Sequence, residues 1–214
     1  MYIKTIMDII SFLGIIAFAI SGAMVAIENK VDLFGVIVLA VITATGGGIV
    51  RDILLDRLPP VAFTDTGYIA ISSLVAIFVY SIAKNNKEYY SKNTHVIDTV
   101  NNIFDALGLG TFVVIGAQSA IDCGFSDNGF FVAFLGVLTG IGGGIIRDIM
   151  VREIPVVLRR HFYALAAAAG SLVFYIFYIS ALPYNLTVAA SVIVTFSLRM
   201  LATHYKWNIP PAIE

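Results

Sequence analysis

The chain has a single cysteine, Cys123, which excludes an internal disulfide and any cysteine-based metal cluster. Its three histidines, His95, His161 and His204, lie far apart and show no metal-ligand spacing. Charge is scarce too: Asp, Glu, Lys and Arg make up 13% of the 214 residues, against about 25% in a soluble domain. A net charge of −1 supplies no basic field for nucleic acid. No nucleophile has an identifiable base. The phrase Gly46-Gly-Gly-Ile-Val-Arg-Asp52 lacks the Lys-Ser/Thr of a phosphate-binding loop. The expectation is a protein that is not an enzyme and carries neither cofactor nor metal.

Apolar residues are what the chain has in quantity. They make up 59% of it, and the mean hydropathy is +0.91. Seven apolar stretches run over about 7–27, 33–51, 67–83, 97–120, 129–147, 161–181 and 185–204. Most approach the roughly 20 residues a helix needs to cross a bilayer. They are apolar all round, without the alternation of a barrel strand, so the fold class expected is an all-α membrane protein. The first stretch, after Lys4 and ending near Ser21-Gly22-Ala23, has the outline of a signal peptide. Its counterpart later in the chain argues that it is a span.

That counterpart belongs to a repeat. Thr43-Ala-Thr-Gly46-Gly47-Gly48-Ile-Val-Arg51-Asp52-Ile53 recurs as Thr139-Gly-Ile-Gly142-Gly143-Gly144-Ile-Ile-Arg147-Asp148-Ile149, 96 positions on. Leu13-Gly14, Phe18 and Gly22-Ala23 match Leu107-Gly108, Phe112 and Gly116-Ala117 at an offset of 94. Spans 1–3 therefore correspond to spans 4–6, and the seventh is left over. Three is odd, so the second unit enters from the opposite side and the halves are inverted about an axis in the membrane plane. The expected units are 1–92, 93–181, and 182–214 with the seventh helix and the tail; a long polar loop at 84–95 joins the first two.

Basic residues suggest the orientation. The side of the N-terminus holds Lys4, Arg51 and Arg57; the other holds Lys30, Lys84, Lys87, Lys92, Arg147, Arg152, Arg159, Arg160, Arg199 and Lys206. The positive-inside rule makes the second side cytoplasmic, with the N-terminus out and the C-terminus in. The host membrane expected is a bacterial inner membrane.

The repeated phrase carries the unusual chemistry. Glycine runs weaken helices, and carbonyls freed at a bend need protein or water. Gly46, Gly47, Gly48, Gly142, Gly143 and Gly144 thus mark either kinks lining a hydrated cavity or close helix packing. Arg51 and Arg147 sit beside Asp52 and Asp148 near the ends of their spans. They read either as ion pairs reaching the interface or as charges at the mouth of a polar path. In the fourth span, Asp98, Asn101, Asn102 and Asp105 recur at helical spacing, which suggests a cation site or a polar seam. The tyrosines Tyr163, Tyr175, Tyr178, Tyr184 and Tyr205 and Trp207 include expected interface anchors.

The doubled GGGxxRD phrase, in inverted three-helix units with a seventh helix appended, resembles the trimeric intracellular cation channel (TRIC) superfamily. The likeness is closest to its bacterial branch, often described as a glycine-transporter-domain family, and covers about residues 5–205. The resemblance implies a homotrimer with one pore per protomer, permeable to K⁺ or another monovalent cation. It implies kinks at both glycine triplets and makes Arg51 and Arg147 pore-associated. Animal members carry lysine at a basic pore position and bind a membrane phosphoinositide there; this chain has arginine. Taken alone, arginines beside broken helices favour an anion or a carboxylate, so the alternative is a secondary transporter of a small amino acid such as glycine.

Overall fold

The computed structural model describes residues 2–159 and 162–207. Arg160, His161 and the end of the tail, and with them the expected position of the C-terminus, lie outside the described residues. Ten helices and no strand occur among the described residues: α1 (Tyr2–Glu28), α2 (Leu33–Leu54), α3 (Val61–Thr64), α4 (Gly67–Asn85), α5 (Lys87–Lys92), α6 (Thr94–Asp122), α7 (Gly129–Met150), α8 (Val156–Arg159), α9 (Phe162–Ile179) and α10 (Tyr184–His204). Seven of them, α1, α2, α4, α6, α7, α9 and α10, are long and apolar enough to span a membrane. The protein is an all-α membrane protein with a three-plus-three inverted repeat and one added helix.

The two halves start and stop their helices by the same local chemistry. Asp32 caps α2, its carboxylate accepting from the Gly35 amide at 2.8 Å; Asn128 caps α7, accepting from the Phe131 amide at 3.0 Å. Each cap satisfies an amide that the first turn leaves without a partner. α1 ends with Lys30 at φ 57°, and α6 with Gly124 at φ 87°. α2 ends through Asp56 at φ 55° and α7 through Arg152 at φ 60°. In both, the amide three residues past the helix end returns to an aspartate carbonyl, Arg57 to Asp52 at 2.8 Å and Glu153 to Asp148 at 2.9 Å.

One expectation needs correction here. Residues 84–95 are not an open loop: α5 occupies 87–92 and α6 begins at Thr94, so the polar run is mostly helical. Lys92 and Glu88 are paired at 2.6 Å, one turn apart on α5.

Helices α1 and α6 pack together through the middle of the bundle, as do α2 and α7. Equivalent residues meet there, which is what a twofold relation produces on its axis. The rings of Phe18 and Phe112, 94 positions apart, stack at 5.1 Å. Helix α4 packs on α1 and α2, and α9 on α6 and α7. Helix α10 packs on α9 and α6, with Ser191 Oγ donating to the Gly170 carbonyl at 2.8 Å. The small-residue run of α9 is what lets α10 approach. Outward, the matched residues Phe34 and Phe130 are 74% and 80% exposed, a surface suited to lipid or another subunit.

Candidate functional site

Two glycine contacts hold the centre together. A Cβ on Gly47 would fall on the carbonyl oxygen of Thr139, and a Cβ on Gly143 would fall on that of Thr43. Gly142 comes so near Gly47 that its Cβ would be 3.0 Å from the Gly47 Cα. The hydroxyls of Thr43 and Thr139 are turned to their own helices, donating to Leu39 and Leu135 at 2.6 and 2.7 Å. The backbones of α2 and α7 thus touch directly, with no side chain between them. Both helices are continuous α-helix through their triplets. The role of the glycines visible in this geometry is the close approach.

One turn beyond each triplet lies an arginine, and the two settings match. Arg51 Nε and Nη2 both donate to Asp52 Oδ1, at 2.9 and 2.7 Å, while Asp52 Oδ2 accepts from the Val61 amide at 3.0 Å. Arg147 Nε donates to Asp148 Oδ1 at 2.9 Å, and Asp148 Oδ2 accepts from the Val156 amide at 2.8 Å. Each aspartate therefore fixes its neighbouring arginine and ties down the short helix that follows. Neutralisation is local, within each repeat. The arginines are 8% and 3% exposed, which argues against side chains reaching out to interfacial water.

The second setting is the richer one. Arg147 Nη1 also donates to Ser21 Oγ at 2.8 Å and to Asp105 Oδ1 at 3.0 Å. Ser21 passes the chain on, donating to Asn101 Oδ1 at 2.7 Å. Arg199 of α10 brings Nη2 to 3.9 Å from Asp105 Oδ2 and lies over the Tyr163 ring at 4.6 Å. Asp105, a member of the expected cation site or polar seam, is thus buried between two guanidinium groups. Asp98, by contrast, is exposed, and Asn102 donates to the Asp98 carbonyl at 2.8 Å. The polar face of α6 is real, but its members do different work.

Two cavities flank the glycine crossing. One, of 130 Å³, is lined by Ser11, Thr45, Gly48, Arg51, Asp52 and Tyr68 among others. The other, of 240 Å³, takes in Glu28, Asp98, Asn101, Arg147, Asp148 and Glu153. They lie at opposite ends of the bundle, each reaching its Arg–Asp pair. Among the described residues no group of three or more His, Cys, Asp or Glu is placed to hold a metal ion.

Sequence reasoning missed Ser21, Tyr163 and Arg199 as parts of this site. Arg199 was counted among the charges at the cytoplasmic end, yet it is 1% exposed. An arginine inside an apolar run was the available signal. Tyr163 is no interface anchor: it is 2% exposed, beneath Arg199. Tyr205 and Trp207, at 62% and 39%, do stay on the surface.

A duplicated seven-helix bundle with a cavity at each end reaching a matched Arg–Asp pair, in a fold shared with solved cation channels, defines a membrane protein of the channel type. The chain belongs to the UPF0126 family, the bacterial branch of the TRIC superfamily. A family profile described as "Glycine transporter" matches it twice, over residues 8–84 and 102–179, once in each repeat. The chain is 38% identical over 164 residues to a UPF0126 membrane protein of Deinococcus radiodurans, covering 76% of this chain and 72% of that one. It is 32% identical over 203 residues to the UPF0126 inner membrane protein YadS of Escherichia coli K12, covering 94% and 93%. Its fold matches a prokaryotic TRIC channel solved in 0.5 M KCl with a TM-score of 0.85 at 35% identity, covering 98% of this chain and 100% of the other. It also matches the TRIC trimeric intracellular cation channel orthologue from Rhodobacter sphaeroides, TM-score 0.85 at 29% identity, covering 95% and 100%.

Proposed function

We propose that the protein is a cation channel, permeable to K⁺ and other monovalent cations, with one path through each protomer of a homotrimer. The observation that carries this reading is the pair of cavities entering from opposite ends and stopping on either side of the α2–α7 crossing. A closed segment between two cavities is the layout of a gated pore. Backbone meets backbone at Gly47 and Gly143, with the Ile146 side chain against Gly46, so a bend of α2 and α7 at Gly46–Gly48 and Gly142–Gly144 is the movement that would join the cavities. The solved TRIC channels that share the fold support the assignment.

The charges suit a cation. Asp52 and Asp148 cancel the arginines where they stand, so neither guanidinium presents an unopposed positive barrier. The outer linings add carboxylates: Asp8 and Asp65 in a 190 Å³ recess beside the first cavity, Glu28 and Asp98 around the second, where Glu153 is paired with Arg159 at 2.7 Å. Acidic mouths concentrate cations. A glycine carboxylate, the ligand of the transporter reading, would have to displace Asp148 or Asp105 from Arg147.

The orientation proposed has the N-terminus outside and the C-terminus in the cytoplasm. Three basic residues, Arg51, Arg147 and Arg199, are buried and leave the count of loop charges. Lys4 and Arg57 then face Lys30, Lys84, Lys87, Lys92, Arg152, Arg159, Arg160 and Lys206, so the bias keeps its sign.

The purified protein in planar bilayers under KCl gradients is expected to pass cation-selective single-channel currents. Arg147→Gln should leave currents present with altered conductance or gating. Saturable glycine uptake that Arg147→Gln abolishes, without currents in either protein, would favour the transporter instead.

A further inference from the structure

We propose that Arg199, contributed by the unrepeated helix α10, tunes the ion path from beside it: it is the counter-charge to Asp105, the carboxylate that pairs with Arg147 at the inner end of the second cavity. The inference rests on the channel reading above.

The two repeats agree closely around their arginines. Arg51 and Arg147, Asp52 and Asp148, and the Val61 and Val156 amides make the same bonds. Tyr68 and Tyr163, 95 positions apart, stand near them in the two halves. Among the side chains bonded to the two arginines, the charge differs at one position. Asp105 occupies the place where the offset of 94 puts Ser11. A carboxylate added to a buried site needs a cation, and the seventh helix brings one. Arg51 and Asp52 cancel; Arg147 and Arg199 cancel Asp105 and Asp148. Without Arg199 the second site would hold one negative charge in excess.

Arg199 is poorly bonded for a structural tie. Among the described residues no protein group accepts a hydrogen bond from its buried Nε or Nη2, whereas Arg147 donates to three different side chains. A guanidinium with unfilled donors is weak mechanical support, so its charge is its main contribution. Its position also connects it to the path. Arg199 lines a 340 Å³ recess that shares Asp98 and Asn102 with the 240 Å³ cavity ending at Arg147. The polar face of α6 separates the two recesses, and Asp105 lies between the two arginines. A cation at the inner end of the cavity feels the sum of these charges in a medium that screens them weakly.

The test is single-channel conductance against KCl concentration in planar bilayers, for wild type, Arg199→Gln, Arg199→Lys, Asp105→Asn and the double variant Asp105→Asn/Arg199→Gln. Arg199→Gln should lower the half-saturating KCl about threefold or more, because the uncovered carboxylate holds the ion better. Asp105→Asn should raise it by a similar factor. The double variant should return to within about twofold of wild type, as coupled charges require. Arg199→Lys keeps the charge and should stay near wild type. If Arg199→Gln does not assemble, the double variant carries the test, since removing both partners strands no buried charge. A silent wild type would remove the channel reading and this role together. A conducting wild type in which both single substitutions leave half-saturation unmoved, or move it the same way, overturns this inference alone. So does Arg199→Lys behaving like Arg199→Gln, or a double variant that assembles but does not return to near wild type.

Discussion

Arg147 shows how a charge is kept inside an apolar bundle. It is 3% exposed and surrounded by Asp148, Asp105 and Ser21, with each bond directed at a separate acceptor. Breaking such a set from the acid side leaves an uncompensated cation, at a cost of about 3–5 kcal/mol. Asp148→Asn is therefore expected to lower the unfolding temperature of the detergent-purified protein clearly, and Asp52→Asn to do the same at the other site. An unchanged melting curve for both would mean that the pairs contribute little to stability. The glycines divide just as sharply at this scale. Gly47→Ala and Gly143→Ala each drive a methyl into a carbonyl of the facing helix. Gly48→Ala meets nothing nearer than Arg51 Nη2 at 3.7 Å. The first two should cost about 1–3 kcal/mol or prevent assembly, and the third should be tolerated. Equal behaviour of Gly47→Ala and Gly48→Ala on size-exclusion and thermal melts would contradict the close crossing.

Helices α2 and α7 are joined by their bare backbones, whereas α9 and α10 meet through small side chains. Thr195 lies so close to Gly170 that an added Cβ would overlap its hydroxyl, and Ser191 bonds the Gly170 carbonyl at 2.8 Å. This contact seats α10 and so places Arg199 against Asp105. Gly170→Leu should push α10 outward while the two repeats keep their own contacts. The expected result is an assembled protein in which a single introduced cysteine at Ala202, buried at 6% exposure, becomes reactive to thiol reagents. An unreactive Ala202→Cys in that background, with Cys123 replaced, would show that α10 is held elsewhere. The 84–95 segment is mostly helical despite its polarity. Its residues are polar, but Glu88 and Lys92 lie one turn apart and favour helix. Polarity marked the end of a span and carried no information about local conformation.

For the whole molecule, orientation is the first matter to test. A cysteine placed within 84–95 should label only from the cytoplasmic side, and a reporter after Glu214 should be cytoplasmic. Labelling from outside would reverse the assignment of both mouths. Much of the architecture was legible before any coordinates. Composition requires a membrane protein, because too little charge is present to solvate a surface. The doubled phrase implies duplication, and an odd number of spans per unit implies inversion. Those conclusions depend on periodicity, length and count, all of which are local. What only the tertiary structure decided is which residues meet. Gly47 faces Thr139 because two helices cross there, and Arg199 faces Asp105, 94 positions earlier, because α9 seats α10. Sequence spacing relates residues along one helix; contacts between helices depend on how the helices pack, and packing carries no local signature.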